Sequence, residues 1–140
     1  MREIKFRAWD KRSNKMYNVA RIIWINNEIR FIGIMGKTEE EVITPYGIDN
    51  IILMQYTGFK DKNGREIYEG DIVRDFGFLG NEEERIGIVV WDDECIPVGF
   101  NIKPIKGKWA DEMGYWWKWE ELEIIGNVYE NPELLKEEEK

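Results

Sequence analysis

The stretch "DKNGREIYEGD", residues 61–71, sets Asp61, Asn63, Glu66, Glu69 and Asp71 around two glycines. Oxygen-bearing side chains near a glycine are what a hard cation such as calcium requires. Placing Gly64 at the sixth position of a calcium loop puts Asp61 and Asn63 at the third and fifth. The first position is then Phe59 and the twelfth Gly70, so the first ligand and the bidentate carboxylate are both missing. The pattern therefore reads as turn chemistry. Asn63-Gly64 supplies positive φ for a tight reversal, and Gly58 and Gly70 relax the backbone on either side.

Other short patterns fare similarly. Gly36-Lys37-Thr38 matches the end of a phosphate loop, but Phe31 stands where that loop needs its first glycine. The acidic run Asp92-Asp93-Glu94 has the ligand type for Mg²⁺ and reads instead as a solvated hairpin tip. Glu82-Glu83-Glu84 reads as an exposed loop.

The 140 residues contain no His and one Cys, Cys95. Without His there is no Ser-His-Asp triad, no Cys-His pair and no ordinary zinc site. We expect no enzymatic activity, no cofactor and no metal. A lone Cys makes no internal disulfide and suits a reducing cytosol. No apolar run approaches the ~18 residues of a spanning helix, and the first ten residues lack a signal peptide's apolar segment. The net charge of −8 is uneven: residues 1–74 hold 13 Lys+Arg against 11 Asp+Glu, and residues 75–140 hold 7 against 17. Such asymmetry suits a charged partner, head-to-tail self-association or merely solvated faces.

The elements that carry these residues are mainly strands. Ile4, Phe6 and Ala8 alternate with Lys5, Arg7 and Trp9, the signature of a half-buried strand. "ARIIWINNEIRFIG" reads as a hairpin about Asn26-Asn27, and Thr38 with Glu41 has capping-box spacing before Pro45. "DNIILMQY", "DIVR", the two halves of "IGIVVWDDECIPVGFNIKPI", "YWWKW" and "LEIIGNVY" read as further strands. "NPELLKEEEK" reads as a terminal helix with Asn131 as N-cap and Pro132 at its first position. The expected fold is mainly β, a small SH3-like barrel or sandwich with short helical segments. It forms one domain over residues 1–140, or two small packed β subdomains at about 1–52 and 53–140.

Three segments, "IKFRAWD", "MQYTGFKDKNGREIYEGDIV" and "EIIGNVYENPELL", resemble the YopX family of phage and prophage proteins, in the family's order. The resemblance implies a mainly β fold, a phage or prophage origin and a bacterial cytosol as the working compartment. It implies no reaction and no catalytic residues.

Two surfaces are candidates for binding. Lys5 and Arg7, with Trp9 on their side of the first strand, combine cations with an aromatic as single-stranded nucleic-acid sites do. Packing of Trp9 is the favoured alternative. In "YWWKW", a strand would place Tyr115, Trp117 and Trp119 on one face and Trp116 with Lys118 on the other. Trp116 and Lys118 are then the expected exposed pair, because seven Trp exceed what so small a core encloses. The leading expectation is a non-enzymatic accessory protein that acts by binding and self-associates into a homo-oligomer. The alternative is an acidic decoy inhibiting a host nucleic-acid-binding protein; nucleic-acid binding itself is a weaker alternative, and no membrane role is expected. Because no metal is expected, adding a chelator should leave the melting temperature unchanged. A drop of several degrees would reveal a carboxylate site.

Overall fold

Runs of Ile, Val and aromatic residues between Asn and Gly turns favour strands, and strands dominate the chain. The computed structural model describes residues 3–36, 42–77, 80, 82–94, 98–111, 114–115 and 117–136. The chain divides into two compact units, Met1–Gln55 and Tyr56–Lys140.

The first unit contains β1 (Phe6–Asp10), β2 (Lys15–Ile25), β3 (Glu28–Met35), β4 (Val42–Gly47) and the first half of β5 (Ile51–Lys60). They form an antiparallel array in the order β4-β3-β2-β1-β5. Asp10 closes the β1–β2 reversal: its Oδ1 accepts the Arg12 N–H at 2.9 Å and its Oδ2 the Ser13 hydroxyl at 3.0 Å. Asn14 leaves that turn with φ 53°. The β2–β3 turn is Asn26-Asn27, at φ 53° and 68°, the left-handed pair that a two-residue hairpin loop requires. Ala8, Trp9, Ile32, Ile34 and Met54 are buried. The expected alternation in β1 fails, because Ala8, Trp9 and Asp10 are all buried in succession.

The second unit begins with the second half of β5, which pairs with β6 (Glu66–Tyr68). Next come β7 (Asp71–Asp75), β8 (Arg85–Asp92), β9 (Gly99–Lys106) and, last, β12 (Glu123–Asn127), ordered β12-β7-β8-β9. The short strands β10 (Ala110–Asp111) and β11 (Gly114–Tyr115) pair only with each other. The core is Ile67, Val73, Val89, Ile102, Trp109 and Leu122, with Trp117, Trp119 and Ile124 packed against it.

Three expectations need correction. The strands form open antiparallel sheets among the described residues, not a closed barrel. "YWWKW" is not one strand: β11 ends at Tyr115, and Trp119–Glu121 is a 3₁₀ turn. Trp117 packs on the core, while Trp116 lies outside the described residues. The terminal helix is only the 3₁₀ turn Pro132–Leu135. Asn131 Oδ1 is taken by the Asn127 N–H at 3.2 Å instead of capping forward, and four residues cannot offset helix nucleation. The Thr38–Glu41 capping box lies outside the described residues, and Pro45 sits within β4.

The β5–β6 reversal follows the sequence closely. Gly64 N–H closes a turn onto Asp61 O at 3.0 Å, and Gly64 alone takes the positive φ, 80°. Asn63 does not share it. A Cβ at Gly64 would meet nothing within 4 Å, so substitution there costs conformational energy alone. Gly64→Val should lower unfolding stability by roughly 1–3 kcal/mol, whereas Gly64→Asn should lose much less. Equal loss in denaturant melts of the two variants would exclude this origin.

Candidate interaction surface

The stretch that first suggested a metal loop is a backbone clamp. Asp61 Oδ1 accepts N–H groups from Asn63 and Arg65, each at 2.9 Å. Its Oδ2 accepts the Ile124 N–H at 3.0 Å, from β12. Arg65 returns a hydrogen bond from Nη2 to Ile124 O, and Lys62 N–H reaches Leu122 O at 2.8 Å. Burial alone would raise the Asp61 carboxyl. The N–H groups of Ile124, Arg65 and Asn63, with the Arg65 cation, outweigh it and hold the group below its ordinary value of 3.8. Nearby, Asp71 Oδ2 accepts the Tyr68 N–H at 2.8 Å and Thr57 Oγ1 donates to Ile67 O at 2.8 Å. These oxygens hold the chain together.

A second cluster organises the unit. Asp75 and Arg85, both almost fully buried, pair through Arg85 Nε to Oδ1 and Nη2 to Oδ2, the latter at 3.0 Å. The guanidinium lies 4.2 Å from the Trp109 ring centroid and donates to Lys108 O at 3.1 Å. Trp109 Nε1 donates to Ile86 O at 3.0 Å. Gly87 makes room: a Cβ there would overlap Ile102 Cγ2 and stand 3.4 Å from the indole.

Charges at the surface are largely paired with one another. Arg74 lies 3.4 Å from Glu123 and 3.5 Å from Glu84, and Lys106 is 3.3 Å from Glu84. Glu84 is thus an ion-pair partner, not part of a freely solvated loop. An open cleft of about 330 Å³ lies beside Arg74, with Phe76, Glu120, Glu121 and Glu123 in its wall. At the acidic tip, Asp92 Oδ1 accepts the Glu94 N–H at 2.9 Å, which makes it a turn-forming carboxylate. Among the described residues, no group of three or more acidic or Cys side chains is placed to hold a metal.

The sequence-derived candidates separate. Lys5 precedes β1 and pairs with Glu3 at 2.8 Å. Arg7 is half-buried in β1. Trp9 is only 8% exposed, so its ring is not offered for stacking. Lys118 is exposed, 3.9 Å from Glu121. Trp116 lies outside the described residues.

The apolar surface that sequence reasoning missed lies on the β2–β3 ribbon. Trp24 is 56% exposed, Ile25 47% and Phe31 41%. Opposite residues in an antiparallel pair share a face. Ile23 opposes Phe31 and Trp24 opposes Ile29, and the extra residue at the register break is Arg30 on β3, so the Ile23–Phe31 pair lies on one face of the ribbon and the Trp24–Ile29 pair on the other. The signal in the sequence is that "RIIWINNEIRF" is apolar at consecutive positions, more than one sheet face can bury. In the second unit Trp91 is also exposed, with Phe100 edge-on at 5.0 Å, and Phe59 stacks on Trp119 at 5.1 Å.

The family model described as "YopX protein" matches residues 5–136. Among solved structures, the crystal structure of protein EF1440 from Enterococcus faecalis is similar, with a TM-score of 0.67 and 26% identity, over 97% of this chain and 100% of that one. A search of curated proteins found no match. No described helix is long and apolar enough to cross a membrane.

The Asp61 clamp gives a signed pH dependence. A carboxyl whose folded pKa lies below its unfolded value adds stability above the unfolded value and loses it as pH falls through the folded one. Asp61→Asn should cost about 1–3 kcal/mol near neutral pH, because one of its amide's two ends must face a backbone N–H with a donor. The gap from the wild type should close as the pH falls below 3.8. A constant gap across acid denaturation melts would refute the clamp.

Proposed function

The chain belongs to the YopX family, and we propose that this member is a non-enzymatic binding module that self-associates. The observation that carries the reading is the exposed apolar surface of the β2–β3 ribbon, where Trp24, Ile25 and Phe31 remain in contact with water. Exposed aromatic patches of this kind mark interaction surfaces, because covering them with a partner removes apolar area from water. The carboxylates best placed for chemistry, Asp61, Asp71 and Asp75, hold backbone N–H groups or Arg85, which favours binding over catalysis. A phage or prophage origin and a bacterial cytosol belong to the same reading and rest on family resemblance.

The charge partition favours a second reading, an acidic module that occupies a basic host protein. Met1–Gln55 holds 9 Lys+Arg against 7 Asp+Glu, and Tyr56–Lys140 holds 11 against 21. Salt separates the two readings. Apolar self-association should persist or strengthen as salt rises, whereas capture of a basic protein should weaken. Sedimentation from micromolar to near-millimolar protein, at low and high salt, should show reversible self-association that survives high salt. A monomer throughout refutes self-association, and salt-sensitive capture of one basic protein would then favour the second reading.

A further inference from the structure

We propose that self-association proceeds by strand addition, the free edge of β2 pairing antiparallel with the same edge of a second copy. The inference rests on the self-association reading and names its surface. β2 is shared between two neighbours. Lys15–Asn18 pair with β1, whereas Val19–Ile25 pair with β3 on the other edge. Past Asn18 the β1 side of β2 has no strand beside it among the described residues. Over Arg21–Ile25 that edge therefore presents backbone donors and acceptors for a further strand.

Two of the outer strands carry features that discourage such pairing. β4 contains Pro45, which has no N–H to donate. β9 contains Pro104 between Lys103 and Lys106. The β2 segment "RIIWI" has neither proline nor lysine, and its single charge is Arg21. The register breaks concern the pairing of β2 with β3, and the second has its extra residue, Arg30, on β3, so β2 itself stays regular over Arg21–Ile25.

A second copy suits this edge in two ways. Antiparallel pairing of identical edges about a twofold axis is self-complementary and closes, so assembly stops at a dimer. The side chains also fit. β2 alternates regularly from Arg21 to Ile25, which puts Arg21, Ile23 and Ile25 on one face and Ile22 with Trp24 on the other. In twofold pairing centred on Ile23, Arg21 of one copy faces Ile25 of the other and Ile22 faces Trp24, so apolar side chains meet and no like charges stand directly across the strands.

Sedimentation equilibrium of three proteins, with amide exchange followed against concentration, tests the inference. In the wild type, the amides of Arg21–Ile25 should gain protection as the dimer forms. Trp24→Lys should weaken the dimer by roughly thirtyfold or more. Trp91→Lys, an equally exposed Trp in the other unit, should leave it unchanged. If the wild type associates while these amides stay unprotected, or if Trp91→Lys alone disrupts the dimer, strand addition is refuted and self-association stands. A wild type that is monomeric at every concentration refutes both. If the amides become protected only when a host polypeptide is added, the edge recruits another chain and the second-copy inference falls. Exchange in the wild type keeps the test decisive even if Trp24→Lys fails to fold.

Discussion

The second unit depends on how Arg85 is buried. A guanidinium removed from water is tolerated only if its donors are met and its charge is balanced. Asp75, one strand away on β7, supplies the charge; Lys108 O accepts another donor; Trp109 supplies a π face. Each partner sits in a different segment, so one side chain ties β7, β8 and the connection after β9 together. Gly107 and Gly87 are small for the same reason. A Cβ at Gly107 would come within 2.5 Å of Arg85 Cβ, and one at Gly87 would collide with Ile102 beneath Trp109.

The acidic excess of the chain is partly structural. Asp10, Asp61 and Asp71 each accept backbone N–H groups at a reversal, where the chain turns away from the sheet and its donors would otherwise go unmet. Asp61 goes further and joins its turn to β12. A carboxylate engaged by N–H groups is stable as an anion and unsuited to shuttling protons near neutral pH. The same chemistry that gives these turns their shape thus commits these carboxylates to the backbone.

The first unit has the opposite character. Its buried side chains include Ile32, Ile34, Ala8, Trp9 and Met54, while Trp24, Ile25 and Phe31 on the β2–β3 ribbon stay exposed. A ribbon apolar on both faces is poorly satisfied alone, because only one face meets the core.

What the sequence determined by itself was local. Asn26-Asn27 and Gly64 specify their reversals because positive φ is a property of one or two residues and needs no distant partner. Strand content follows in the same way from β-branched and aromatic runs, and absent His constrains the chemistry without reference to shape. The tertiary structure decided what depends on distant neighbours. Trp9 sits on what an alternating strand makes the wet side, yet both faces of β1 are covered there. Asn131 has the spacing of a helix cap, yet Asn127 N–H, four residues back, claims its oxygen. Trp24 and Phe31 are spelled like core residues, yet the fold leaves both exposed. Burial is a property of everything that packs against a residue, so no short window of sequence can contain it.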